Sequence, residues 1–325
     1  ASCFILLCKK SALKSNNLLK LDRLNKKTST MAKYSNLSIL FSNTCLFLFF
    51  QFMPLFSITA QQKQGDGTIP LCIKTDNMSV IDEGYLRVSY AFNADDVNDF
   101  KTYIDLQWLE IGKCQSKYYS SFAFRTDSLC TEWIKKHSKA RSVPRHFSDS
   151  KRSYYWSEYQ YTEYFKKENR MAVYSRMPHG LKKYDSRHVE ELPLQKWKLL
   201  PGTLKIKNYL CHKAICTFRG RNYIAWYTKE IPISNGPWKF GGLPGLILKI
   251  YDTQHLYTFE CIKVERFKFP IKQYDYSNYK ERSRKELLKL QRDINENFYK
   301  VSKSRSMKTG EYMSKFTPYQ PMELN

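Results

Sequence analysis

Between Leu204 and Phe267 the chain runs in short apolar-polar alternations separated by turn residues, and this stretch restricts the possible fold more than any other. In "YLCHKAICTF" one face carries Leu210, His212, Ala214, Cys216 and Phe218, while in "RNYIAWYTKE" Tyr223, Ala225 and Tyr227 alternate with Ile224, Trp226 and Thr228. A period of two belongs to strands, whose side chains point to opposite faces in turn. "RGR" between them supplies a hairpin turn, with Gly220 taking the conformation a β-carbon would forbid. "LILKIYD" and "HLYTFECIKVERF" form a second pair joined at "DTQ", so four consecutive antiparallel strands are expected at the heart of the fold.

"GPWKFGGLPGLILKI", Gly236 to Ile250, crowds four glycines and two prolines against an aliphatic run. Pro237 and Pro244 keep the segment out of a sheet ladder. Pro244 and Gly245, between Leu243 and Leu246, fit the central positions of a type II turn. Gly236, Gly241 and Gly242 let the backbone pass close to another surface, and Leu246 with Ile247 begins a buried strand. The segment reads as a rigid corner.

Upstream, "EGYLRVSYAF" places Leu86, Val88, Tyr90 and Phe92 on one face of a strand. "YIDLQWLEIG" puts Ile104, Leu106 and Trp108 opposite Asp105 and Gln107, and "SKYYSSFAF" continues an antiparallel meander. Residues 127–140 predict a short helix capped by Asp127 or Ser128. The tyrosine-rich stretch from Ser153 to Phe165 suggests an insertion or a long hairpin. "RMAVYSRM" returns to strand character. Near the end, Leu287, Leu290, Ile294 and Phe298 recur at helical spacing, with Ser283 and Glu286 as a capping box, and this helix is expected to pack on the sheet. The final "PYQPMELN" should be extended. The fold class is mainly β (α+β), with a curved antiparallel sheet, a short internal helix and a C-terminal helix.

Met31 opens a polar stretch, an apolar run and "SITAQ", the pattern of a secretory signal cut after Ala60; a transmembrane anchor is the other reading, although Ser42, Asn43, Thr44 and Gln51 interrupt the run. Cys45 lacks the small residues that precede a lipid-modified cysteine. The expected organisation is an upstream extension (1–30), a signal peptide (31–60), a polar leader (61–82), the β domain (83–270) and a C-terminal helix with its tail (271–325). From Gln61 onward 46 basic residues face 29 acidic ones, a net of +17. Such a surface attracts polyanions, or serves solubility alone. Six cysteines fall in this portion, Cys72, Cys114, Cys130, Cys211, Cys216 and Cys261, a number that permits disulfides outside the cytosol without fixing their pairing.

"FRGRNYIAWYTKEIPISNGPWKFGGLPGLILKI", together with "LEIGKCQSKYYS" and "PYQPMELN", resembles the GLPGLI family, also called Porph_ging, of secreted proteins from Bacteroidota. The likeness covers most of residues 83–267 and excludes the stretch from Ser153 to Phe165. It implies an extracytoplasmic protein without an assigned activity, so no catalytic residue carries over. By analogy it also suggests a half-barrel like that of lipoprotein carriers.

No GxSxG, HExxH, P-loop or GxGxxG stretch occurs. No metal, cofactor or catalytic residue is expected. His212 and His255, on expected strands of the same sheet, form the one histidine pair to check. Arg219 and Arg221 flank Gly220 and are suited to clamp a phosphate or carboxylate, or to pair with acidic side chains. With Trp226, Tyr227, Trp238 and Phe240 they make the candidate binding set. The expected function is a non-enzymatic envelope or binding protein with a groove for an apolar chain, a peptide or a protein partner; the alternative is an extracytoplasmic binder of acidic glycan or nucleic acid, resting on the net charge and the basic tyrosine-rich stretch 151–168.

Overall fold

The computed structural model describes residues 65–139 and 155–324, all within one unit of the chain, Ile58–Asn325. The signal peptide and upstream extension lie outside the described residues. Among the described residues twelve strands form one sheet: β1 (Ser79–Ala94), β2 (Tyr103–Gly112), β3 (Gln115–Ser120), β4 (Thr162–Lys167), β5 (Arg170–Ser175), β6 (Ser186–Glu191), β7 (Lys198–Ile206), β8 (Tyr209–Phe218), β9 (Arg221–Thr228), β10 (Leu246–Asp252), β11 (Thr258–Gln273) and β12 (Lys280–Glu281). Their order is β12-β6-β5-β4-β3-β2-β1-β11-β10-β9-β8-β7. Two meanders, β1–β6 and β7–β11, are thus welded along the antiparallel β1–β11 ladder, which runs from Ser79 opposite Gln273 to Phe92 opposite Phe259. The described pairs are antiparallel except the short β12–β6 pair. The four expected strands of the Leu204–Phe267 region are β8 to β11, adjacent in the sheet as predicted.

The sheet curls around its own side chains. Tyr90 of β1 donates to Ile247 O at the start of β10 at 2.7 Å, and Tyr164 Oη of β4, far away in the order, accepts from Trp238 Nε1 of the β9–β10 connection at 3.1 Å. Leu86, Val88, Tyr90 and Phe92 are buried in this hollow as their alternation predicts. Strand β2 obeys the alternation with an unexpected polarity: Asp105 and Gln107 face the core, while Ile104, Leu106 and Trp108 are half-buried on the outer face. The inversion is tolerated because the polar pair is bonded. Asp105 accepts from Ser120 Oγ at 2.8 Å and Gln107 Nε2 at 3.0 Å, and Gln107 in turn accepts from Tyr118 and donates to Tyr159 O.

Two α-helices complete the architecture of the described residues. α1 (Ser121–Lys136) begins earlier than the sequence suggested, because Ser120 caps it through Ala123 N at 3.0 Å and ends β3 at that point. Asp127, expected as a cap, sits mid-helix and is buried. α2 (Arg284–Ser302) has the predicted capping box: Ser283 Oγ accepts from Glu286 N and Glu286 Oε2 accepts from Ser283 N at 2.8 Å. Its stripe of Leu287, Leu290, Ile294 and Phe298 packs chiefly on Trp156, Met177 and Leu181, in the connections beside β4 to β6, rather than on the sheet as expected. Among the described residues no helix is long and apolar enough to cross a membrane.

The turns follow local chemistry. Phe218 pairs with Arg221, and both Arg219 (φ 51°) and Gly220 (φ 81°) are left-handed, the arrangement of a two-residue type I′ hairpin. The Pro244–Gly245 corner departs from the expected type II turn. Gly245 has φ 154° and donates to Leu243 O at 2.8 Å, closing a tighter turn. A β-carbon on Gly245 would lie 2.0 Å from Thr228 O, so close approach to β9 dictates the glycine.

Candidate functional site

The signature segment between β9 and β10 enters the hollow of the sheet. Ile231, Trp238, Phe240 and Leu243 are buried, and Leu246 N and Ile247 N return to Ile231 O and Asn235 O at 3.0 Å each, folding the segment onto itself. Lys166 of β4 donates to Asn235 Oδ1, Gly236 O and Phe240 O at 3.0, 3.4 and 2.7 Å, fastening the far side of the sheet to the segment. The C-terminal tail closes the same hollow. Tyr257 donates to Gln320 O, Arg221 donates to Pro321 O at 2.7 and 3.0 Å, and Leu324 N donates to Arg219 O at 2.9 Å. The face on which an apolar groove was expected is therefore occupied by the chain's own signature and tail.

At the mouth lies a buried charge cluster drawn from five elements. Lys239 of the signature is 2.8 Å from Glu190 of β6 and 2.6 Å from Glu323 of the tail. Arg219 reaches Glu190 at 2.8 Å and Glu323 at 3.5 Å, and Arg284 of α2 reaches Glu323 at 2.7 Å. Burial raises the Glu190 pKa, but His188 and the cations Lys239 and Arg219 outweigh it and hold the carboxyl at about 2. Two carboxylates shared among three cations are mutually satisfied, a geometry for holding segments together. His188 is the most distant member: its Nε2 lies 3.7 Å from Glu190, and the buried ring has no closer polar partner.

The predicted binding set is only partly gathered here. Arg219 belongs to the cluster, whereas Arg221, on the same hairpin, turns to Asp252 at 3.5 Å and to the tail carbonyl. Both arginines thus engage carboxylates. Tyr227, Trp238 and Phe240 are buried, with Trp238 and Phe240 in edge contact at 5.1 Å, and Trp226 is half-buried against Lys213 on the outer face. His212 packs on Tyr227 while His255 stacks on Tyr251 in the β10–β11 turn, so that pair shares no partner. In the tyrosine-rich stretch, Trp156, Tyr164, Phe165 and Lys166 are buried, which leaves these rings unavailable for stacking on a strand. Among the described residues no cluster of three His, Cys, Asp or Glu can hold a metal ion.

Beside the plug is an open cleft of about 340 Å³. One wall is the signature backbone at Ser234, Asn235, Gly241 and Gly242; the other is Leu192 to Gln195, with Lys113 and Cys114 at the rim and Lys166 at the base. Gln195 fixes the two walls by accepting from Gly241 N at 3.0 Å, and Trp197 Nε1 donates to Gly241 O at 2.8 Å. Burial pulls the Lys166 pKa down to about 7. Sequence reading missed Glu190, Glu323, Lys239 and Lys166, since their partners are brought together only by the curl. The one available signal was that Lys239 and Glu323 lie inside the two family-like segments.

Residues 218–249 match the family model Porph_ging, described as a protein of unknown function. No curated protein matches. Among solved structures, PNGF-II in two space groups is similar at 14% identity with TM-scores of 0.41 and 0.40, covering 67% of this chain and 34% of that one. The chain spans about a third of the length of those proteins. Residues 218–249, the hairpin turn, the plug and the start of the strand that follows it, thus match the Porph_ging model, consistent with the GLPGLI resemblance.

Proposed function

We propose that this is an extracytoplasmic, non-enzymatic binding protein whose ligand is a peptide segment taken into the cleft beside the signature. The observation that supports the reading is the cleft itself: about 340 Å³, walled on one side by the turn backbone of the family segment and on the other by Leu192, Pro193 and Leu194, with lysines at rim and base. Leu194 is 80% exposed, an apolar contact without cover in this chain. A short apolar wall with the exposed Lys113 ammonium at its rim suits a short extended peptide carrying a carboxylate better than a lipid chain, which wants an enclosed apolar cavity. The Met31–Ala60 pattern supports the location.

Hydrogen–deuterium exchange of the full chain with a synthetic library of acidic hexapeptides tests the reading. Slower exchange confined to residues 192–195 and 234–242, together with a change in Trp197 fluorescence, is expected. Protection elsewhere, or none at millimolar peptide, contradicts it.

A further inference from the structure

The polar leader is tied to α1 at regular intervals. Ile73 N donates to Asp127 Oδ1 at 3.1 Å, and Thr75 N donates to Thr131 Oγ1 at 2.9 Å. Leu71 O accepts from Arg176 Nη2 at 2.9 Å, and the same guanidinium holds Asp127 at 2.6 Å. Positions 127, 130 and 131 share one helix face. Cys130 therefore faces the leader between two points already fixed to it, and Cys72 lies between the leader residues Leu71 and Ile73 that are held there.

The other cysteines are placed differently. Cys114 is exposed, and the thiols of Cys211 and Cys261 turn to backbone carbonyls, Tyr209 O and Lys263 O, at 3.7 Å each. Cys216 is buried. Cys72 and Cys130 are free thiols here, the first half-buried and the second 2% exposed.

We propose that Cys72 and Cys130 form a disulfide site, closed by exchange with an external disulfide of the oxidised-glutathione class, which staples the leader covalently to α1. The thiolate of Cys72, the more accessible of the two, attacks one sulfur of the external disulfide. A mixed disulfide forms and one thiol leaves. Cys130 then loses its proton, attacks the Cys72 sulfur and expels the second thiol, so one disulfide is reduced to two thiols as the protein loses two electrons and two protons. Burial raises both pKa values, that of Cys72 strongly, so the folded dithiol exchanges slowly at neutral pH and closure belongs to the folding chain. The inference does not depend on the peptide reading.

The test is to refold the reduced full-length protein in a glutathione redox buffer, block remaining thiols with N-ethylmaleimide, and digest with trypsin. The expected product joins Gln64–Lys74 to Thr126–Lys135, with Cys114, Cys211, Cys216 and Cys261 alkylated. Recovery of Cys72 and Cys130 both alkylated, or of either bonded to another cysteine, overturns the proposal. On heating, the oxidised protein should melt on the order of 10 °C above its dithiothreitol-treated form. That difference should vanish in Cys72→Ser and in Cys130→Ser; its survival in either variant points to another bridge and also overturns the proposal.

Discussion

Ionic groups are buried on both faces of the sheet, and the two sites are built on different plans. On the outer face a single carboxylate, Asp127, holds the Arg176 guanidinium at 2.6 Å and also accepts from Ile73 N and Tyr274 Oη at 3.1 and 3.0 Å. On the inner face Glu190 and Glu323 share Lys239, Arg219 and Arg284, and the members come from β6, the tail, the signature, the β8–β9 turn and α2. The first is a clamp with one point of failure. The second is a mesh in which a lost member leaves each neighbour with another opposite charge. The comparison teaches that the outer ion pair rests on one carboxylate, whereas the ion pairs that hold the plug are redundant.

Removing the outer carboxylate should therefore cost most. Asp127→Ala leaves Arg176 uncompensated in the interior and strips two further donors, and is expected to lower unfolding free energy by about 5 kcal/mol in urea titrations. A loss similar to that of a mesh member would erase the distinction.

Asp105 gives a sharper contrast, because it is a buried acid of the inner face met by neutral partners alone. Burial raises its pKa to about 7 against the pull of Ser120 and Gln107. The sign follows from proton counts: between pH 4 and 7 the unfolded chain has released this proton and the folded chain retains it. Stability should fall as pH rises through that window, by about 4 kcal/mol in all, and Asp105→Asn should flatten the slope. Lys166 acts at higher pH. Its folded pKa lies below the unfolded one, so its cost is relieved as pH climbs from about 7 towards 10.

Within the mesh, Glu190→Gln should cost about 2–3 kcal/mol at pH 7, less than the outer site because Lys239 and Arg219 retain Glu323. Its folded pKa is depressed, so the difference from wild type should be complete above about pH 5 and shrink as pH falls towards 2. The smallest effect belongs to Arg284→Ala. Its side chain is 25% exposed and solvent screens it, so about 1 kcal/mol or less is expected in the same titration.

The sheet was legible because alternation and turns are local. Leu86 to Phe92, the β8–β9 hairpin at Gly220 and the capping box at Ser283 each follow from residues within a few positions of one another. Strand β2 shows where that reasoning stops: its apolar side was readable, but which side met the core depended on Ser120 and Tyr118 arriving with partners for Asp105 and Gln107. The α1 boundary moved for a similar reason, since Asp127 is spoken for by Arg176, 49 residues away. Arg219 and Arg221 were recognised as a pair, yet their acceptors lie on β6, in the tail and at the end of β10, and only the curl unites them. The +17 charge, read as an invitation to polyanions, says nothing about which cations are buried in ion pairs.

The central claim is that the signature segment is an internal plug held inside the curled sheet, and native-state hydrogen exchange tests it most directly. The amides of Leu246 and Ile247, which return to Ile231 O and Asn235 O, should exchange only through global unfolding, with the same free energy as the β1–β11 ladder. Exchange of these amides at the faster rate of the exposed edge strand β7 would mean that the segment swings free of the sheet, and would contradict the account.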